Sequence, residues 1–291
     1  MAIQRLDIRK TYKLYVGGNF SRSESGRVLR AASRSGTSLD NYSQASRKDL
    51  RDAVVAARNA FEGWAKKSAY LRGQILYRAA EMLEARAGEM VRELSRSLNV
   101  PETKARCEVD ASIERIVYFA GWADKYSQIF SSVNPVASSH FNFTTPEPVG
   151  VVALFAPDEP ALLGFVSLIL PVILSGNTAM VVASERFPLA ALTFGEILAT
   201  SDVPGGVVNI LSGKRLELVS HVASHMDINA VVDGASVPEV SSTLQAGMAF
   251  NLKRYGQRGF SAGDWAGAKP EEPWCILETV EFKTAWHPIG V

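Results

Sequence analysis

The 291-residue sequence is poor in cysteine, with only Cys107 and Cys275. Two thiols cannot build a disulfide scaffold, so the chain must rely on a core, and a reducing, cytoplasmic setting is the expectation. Charge of one sign is also lacking. Thirty-one basic and 30 acidic side chains leave a formal charge of +1, which gives no electrostatic ground for nucleic acid or an anionic membrane as partner. No apolar run is long enough to cross a bilayer without interruption; Pro171 and Gly176 break the longest. The opening MAIQRLDIRK has no apolar segment and does not read as a secretory leader. No Gly-x-Gly-x-x-Gly, P-loop, repeat or low-complexity stretch occurs. His221 and His225 are spaced for one helix face, but Val222 stands where a zinc protease needs Glu and no third ligand follows, so no metal ligand is assigned. What is present is an ordinary globular composition, 47% hydrophobic and 21% charged.

The organising stretch is Pro146 to Gly213. Gly150 to Ala156, Thr178 to Ala183 and Val207 to Leu211 are apolar runs suited to strands buried on both faces. Between them lie Leu162 to Leu174, apolar all round and stopped by Ser175-Gly176, and Phe187 to Thr200, expected to be an amphipathic helix with Pro188 in its first turn. Strands and helices alternating with short turns predict a doubly wound parallel sheet of the Rossmann kind. Leu216 to His225, Ala230 to Val232 and Pro238 to Phe250 continue the alternation.

Upstream, Lys10 to Phe20 reads as a hairpin around Gly17-Gly18. Ser46-x-x-Asp49 is a capping box before a helix with Leu50, Val54, Ala57, Phe61 and Trp64 on one face. Leu71, Ile75, Ala79 and Leu83 predict a second helix. Met90, Val91 and Leu94 extend it or start another, and Pro101 opens one that buries Val109, Ile113, Ile116 and Ala120. Phe260 to Pro273 reads as loop, and ILETVEFKTAWHPIGV ends the chain with strand-like alternation of Val280, Phe282, Thr284 and Trp286. The five tryptophans read as core or interface anchors.

PVGVVALFAP, the Gly176-Asn177-Thr178 turn, Ser184-Glu185 followed by Pro188-Leu189, and VPGGVVNILSG resemble the cofactor domain of the aldehyde dehydrogenase superfamily. PDEPALLGFVSLILP, AGWADKY and TSDVPGGVVNI are most similar to the C-terminal half of the two-part family-16 members, a half regarded as lacking catalysis. The resemblance implies an α/β Rossmann-like cofactor domain over residues 1–259, with an oligomerisation flap hairpin inserted at 134–149. Residues 260–291 are then a loop and a terminal flap strand, and nearly the whole catalytic domain is absent. His140 and His287 fall in the two implied flap strands and could pair across them.

The same resemblance allows the chemistry to be checked. The family uses a cysteine thiolate, an oxyanion donor, a glutamate base and an oriented NAD. Neither Cys107 nor Cys275 has the Gly-Gln-x-Cys setting. Pro157-Asp158-Glu159 stands for the family's Pro-Trp-Asn, and Arg258 stands at the spacing of the base, which a guanidinium cannot replace. No catalytic residue is therefore assigned. Asp158 and Glu159 are expected to form a solvated turn. Glu185 matches the ribose ligand, Gly213 is a retained turn glycine and Gly234 lies in the phosphate-facing turn; these three are the candidate cofactor residues. Val182 replaces a lysine, Arg215 and Val219 replace glycines, and Asp233 brings negative charge toward the implied pyrophosphate, with Arg215 placed to offset it. On balance these changes count against NAD. Two functions are implied: a non-catalytic (pseudoenzyme) subunit that assembles with a catalytic aldehyde dehydrogenase or with itself, or an NAD(P)-dependent oxidoreductase converting an aldehyde to a carboxylic acid. A nucleotide sensor without turnover lies between them.

Overall fold

Strands with no polar position between their apolar residues need cover on both faces, and the central strands receive it. The computed structural model describes residues 8–290; the first seven residues, part of the stretch read for a leader, and Val291 lie outside the described residues. The chain opens with β1 (Thr11–Tyr12) and a hairpin, β2 (Leu14–Val16) and β3 (Asn19–Ser21), turned by Gly17-Gly18 at φ +60° and +82°. β4 (Val28–Ala32) and β5 (Ser38–Ser43) join β1 in a small sheet of order β1-β5-β4. Helices α1 (Arg47–Ala65), α2 (Ala69–Ala85), α3 (Ala87–Leu98), α4 (Glu102–Trp122) and the short α5 (Lys125–Phe130) follow. β6 (Ser132–Asn134) and β7 (His140–Pro148) form an arm.

The alternating unit is β8 (Val151–Phe155), α6 (Leu163–Leu174), β9 (Thr178–Val182), α7 (Pro188–Thr200), β10 (Val208–Leu211), α8 (Arg215–Ser224), β11 (Ala230–Asp233), α9 (Pro238–Met248) and β12 (Arg254–Gln257). The tail holds α10 (Ala262–Ala266), a 3-10 turn at Lys269–Glu271, α11 (Trp274–Leu277) and β13 (Val280–Pro288). The main sheet has the order β12-β11-β8-β9-β10-β2-β3. Its first five strands are parallel and β2 joins antiparallel. The order reverses beside β8, so the crevice between the C-terminal ends of β8 and β11 is the topological switch point.

Strand parity divides the core. Val152, Leu154, Ala179, Val181, Val208, Ile210 and Val232 face one layer with α2, α3, α4, α6 and α7. Val151, Ala153, Phe155, Met180, Val182, Leu211 and Val231 face α1, α8 and α9. Each fully buried aliphatic or aromatic side chain adds about 1.5–3 kcal/mol by leaving water. The capping box forms as read: the Ser46 hydroxyl accepts from the Lys48 and Asp49 N–H groups, and Asp49 accepts from the Ser46 N–H. Trp64 is buried and its indole donates to the Ile173 carbonyl at 2.8 Å, joining α1 to α6.

Three expectations change. α7 is not amphipathic: every residue from Pro188 to Leu198 is buried except Glu196, because β2, α2 and α3 cover its outer side. α6 itself ends at Leu174 as read, with Pro171 inside it, and its 12 residues are too few to span a bilayer. Leu71, in the first turn of α2, is exposed. The 260–273 stretch is not loop throughout; α10 carries a second capping box, Ser261 with Asp264, and seats Trp265 fully buried against the core. Arg115 of α4 holds this segment, donating to Glu271, the Ser167 hydroxyl and the Gly267 carbonyl. The composition misled because the helices are short and their anchors lie far away in sequence. No described helix is long and apolar enough to cross a membrane.

β13 pairs antiparallel with β7 over its full length, from Val280↔Pro148 to Pro288↔His140, and β6 lies on the other side of β7. His140 and His287 do not pair. His287 sits opposite Phe141, so the two histidines point to opposite faces, and the His140 ring packs edge-on against Trp286, centroids 5.9 Å apart. Trp64 and Trp265 are fully buried core anchors and Trp122 packs partly buried against the same core, whereas Trp274 and Trp286 are exposed.

One side chain ties tail to sheet. Asn177 is wholly buried; its Nδ2 donates to the Ser175 hydroxyl at 2.9 Å and the Thr279 carbonyl at 2.7 Å, and its Oδ1 accepts from the Gly150 N–H at 2.9 Å. Asn177→Ala leaves those groups without partners and is expected to cost about 2–3 kcal/mol. Urea unfolding should show a lower midpoint at unchanged slope.

Candidate functional site

The C-terminal ends of β8, β9, β10 and β11 converge on the switch point, where a doubly wound sheet offers backbone N–H groups and helix N-termini to an anionic ligand. Here three internal carboxylates take up those donors.

Asp158 leaves the end of β8 and is not in a solvated turn. Its Oδ1 accepts from the Ser184 hydroxyl at 2.7 Å and from the Glu185 and Arg186 N–H groups at 3.1 and 3.3 Å. Arg215 reaches it from the first turn of α8 with Nη2 at 2.7 Å and Nη1 at 3.1 Å, and Nη2 also donates to the Ala156 carbonyl at 2.8 Å. Arg215 is only 4% exposed and its guanidinium lies across the strand ends. It is therefore engaged with Asp158 and not placed to offset Asp233 as expected. Glu159, beside Asp158, points away and pairs with Arg34 and Arg186.

Glu185, at the end of β9, turns to the α8 N-terminus. One carboxylate oxygen accepts from the Arg215 N–H at 3.0 Å and the other from Lys214 Nζ at 2.9 Å. The carboxylate thus does for α8 what a helix cap does. Gly213, between β10 and α8, has φ +143°, and a Cβ there would stand 3.3 Å from the Ala45 N and Gln44 Cγ. Glycine is needed to let the turn lie against the segment entering α1.

Asp233, at the end of β11, is fully buried. Its Oδ1 accepts from the Ala235 and Ser236 N–H groups at 3.0 Å each, and its Oδ2 from the Ser241 hydroxyl at 2.5 Å and Tyr255 OH at 3.3 Å. The amides of this turn close on its own aspartate. A Cβ on Gly234 would meet the Phe155 carbonyl at 3.0 Å and Leu168 and Trp265 at 3.2 Å, so glycine here allows close packing of the β8 and β11 ends with α10.

The structure thus brings Glu185 and Gly213 together at the α8 N-terminus, with Gly234 across the switch point. Arg258, just beyond β12, is 1% exposed; it donates to Glu278 at 2.9 and 3.1 Å and to the Cys275 carbonyl at 3.0 Å. It acts as a strut between sheet and tail. Cys275 is buried, and burial pushes its thiol up, away from the thiolate form. Cys107 is exposed on α4, its thiol on the Thr103 carbonyl. No group of three metal-ligating side chains occurs among the described residues; His221 is in the last turn of α8 and His225 caps it.

Sequence reading missed the Asp158–Arg215 pair and the closure of Asp233 on its own turn. The signal was available in part: Arg215 and Asp158 both replace uncharged family residues, and two opposite charges entering one site together suggest a pair. It also missed Glu108 of α4, whose carboxylate accepts from the Leu162 and Leu163 N–H groups at the start of α6. Burial pushes that carboxyl up despite those two bonds.

A doubly wound sheet with an inserted arm, a terminal strand returning to that arm and a crevice at the β8–β11 switch point define an aldehyde-dehydrogenase-like cofactor domain. The sequence profile described as "Aldehyde dehydrogenase family" matches residues 20–255, and the chain belongs to that family. It is 33% identical over 255 residues to Retinal dehydrogenase 2 of Gallus gallus, covering 86% of this chain and 48% of that protein. It is 28% identical over 257 residues to Cytosolic 10-formyltetrahydrofolate dehydrogenase of Xenopus tropicalis, covering 87% of this chain and 28% of that protein. Among solved structures, the NAD-dependent aldehyde dehydrogenase from Sinorhizobium meliloti superposes with a TM-score of 0.80 at 25% identity, over 86% of this chain and 50% of that one. The NAD+ complex of aldehyde dehydrogenase from Bacillus cereus gives 0.80 at 25% identity, over 85% and 50%. The chain spans about half the length of Retinal dehydrogenase 2 and of these solved structures.

The ion pair in the crevice has a pH signature. Burial pushes the Asp158 carboxyl up, but the Arg215 guanidinium, the Ser184 hydroxyl and the Arg186 N–H outweigh it and hold it below the ordinary range. A carboxyl depressed in the folded state contributes stability that is complete above its unfolded pKa of about 3.9 and is lost as pH falls through the folded value. Asp158→Asn should lower the urea midpoint at neutral pH and make its decline below about pH 4 shallower than in the wild type. Urea titrations across that range test both parts.

Proposed function

We propose that this chain is a non-catalytic member of the aldehyde dehydrogenase family that serves assembly, joining a catalytic aldehyde dehydrogenase subunit or further copies of itself through the β6-β7-β13 arm. The observation that carries the proposal is the self-occupied crevice. Asp158, Glu185 and Asp233 each accept the donors that a dinucleotide's phosphates or ribose would need. A dinucleotide entering would have to displace the buried Arg215 guanidinium from Ala156 and Asp158, leaving a charged group without a partner. Two phosphates would also approach three carboxylates already in place. Arg258 supports the same reading, since the position implied for the base holds a strut that cannot take up a proton.

The runner-up is an NAD(P)-dependent oxidoreductase acting on an aldehyde. Its support is the Bacillus cereus relative, whose solved structure is an NAD+ complex, together with Glu185 at the end of β9. It requires Glu185 to leave the α8 N-terminus and Lys214 when cofactor binds.

Calorimetric titration of the purified chain with NAD and NADH separates the two. The expected result is no heat of binding at millimolar cofactor. Micromolar binding abolished by Glu185→Ala would overturn the assembly reading in favour of a nucleotide site.

A further inference from the structure

The arm ends in an open strand edge. β7 and β13 pair with a constant register, and backbone bonds run through the odd-numbered residues of β13: Ile289 N–H donates to the Ser139 carbonyl, and Val149 N–H donates to the Thr279 carbonyl. Prolines 146 and 148, which have no N–H, sit opposite the even residues Phe282 and Val280. In an antiparallel strand the N–H and C=O of one residue point the same way. The even residues of β13 therefore direct both groups away from β7. The edge is closed at its two ends. Arg254 Nη1 donates to the Val280 carbonyl at 2.5 Å, and Pro288 has no N–H to offer. The open window is Phe282, Thr284 and Trp286, symmetric about Thr284.

We propose that this window pairs with the same window of a second copy of the chain, antiparallel, with a two-fold axis at Thr284. The inference rests on the assembly reading above and commits it to self-association through β13. In this register Thr284 faces its own counterpart, and Phe282 of each copy faces Trp286 of the other. All three positions form hydrogen-bonded pairs, and the two three-stranded arms become one six-stranded sheet. Side chains agree with the backbone. Phe282 and Trp286, 50% and 59% exposed, make two aromatic pairs on one face. On the other face Glu281 meets His287 of the second copy, and Lys283 meets Ala285. A two-fold at residue 283 would set lysine against lysine, and one at 285 would bring Pro288 opposite Phe282 and lose a donor. Edge lysines usually discourage such pairing. Lys283 does not, because Glu147 of its own chain holds it at 2.6 Å. The opposite edge of the arm cannot compete; β6 has three residues, and only Val133 points outward.

The test uses the full chain in a Cys107→Ser background, since Cys107 is exposed. In a hydrogen-bonded antiparallel pair the Cα atoms lie about 5.5 Å apart, within disulfide reach. Thr284→Cys should give a covalent dimer on mild oxidation. Phe282→Cys should remain monomeric on a non-reducing gel by itself and link only when mixed with Trp286→Cys. By light scattering the wild type should have twice the chain mass. Thr284→Pro, which removes the outward N–H together with the hydroxyl contact to Thr144, should halve it with an unchanged circular dichroism spectrum, and Thr284→Val, which removes that contact alone, should leave it dimeric. A wild type of single-chain mass overturns the pairing, as does a dimer that survives Thr284→Pro or links through Phe282→Cys alone. These outcomes are independent of cofactor: a monomer without NAD binding removes the pairing and leaves the closed crevice, whereas a dimer that binds NAD does the reverse.

Discussion

A buried guanidinium lying across the ends of a parallel sheet needs acceptors, and the crevice of this protein supplies them to both terminal nitrogens of Arg215. Arg215 is held by Asp158 and by the last carbonyl beyond β8. Asp158 is in turn held by the turn after β9, and Glu185 in that turn caps the helix that carries Arg215. The chain of bonds closes on itself across β8, β9 and α8. A buried pair of this kind contributes little net stability compared with apolar packing, yet losing one partner is costly. It therefore fixes an arrangement more than it strengthens the fold. The crevice at the switch point becomes part of the protein's own hydrogen-bond network.

Much of the architecture was legible in the sequence, for physical reasons. Val151–Phe155 and residues 179–182 are apolar on both parities, as is Val208–Leu211 but for the buried Asn209, and only a strand covered on both faces accommodates that. The Ser46 capping box and the Gly17-Gly18 turn are local and do not depend on distant residues. The tail was read poorly because its helices are too short to show a period. Trp265 and the 3-10 turn are seated by Arg115, a residue about 150 positions earlier, and propensity does not register such a contact.

The site was legible as substitutions but not as geometry. Glu185, Gly213 and Gly234 could be placed by the resemblance to the family's cofactor domain. What each does could not, since Glu185 faces a helix end and Gly234 makes room for Trp265. Charged residues were the least predictable. A solvated turn and a compensating arginine are each reasonable readings of Asp158 and Arg215 taken singly. Only their meeting at 2.7 Å turns them into one structural unit.

Asn177 and Arg258 join the tail to the sheet from two separate places, one at Thr279 before β13 and the other at Glu278 and the Cys275 carbonyl. Both attachments are buried, and both consist of donors whose loss leaves unpaired polar groups in the interior. Residues 275–279, which lead into β13, are accordingly tied to the same cooperative unit as the central strands, and are expected to open with the domain and not ahead of it. For a protein whose terminal strand is exposed along one edge, this keeps that edge presented at a fixed angle for as long as the domain is folded, and removes it from view only when the domain itself comes apart.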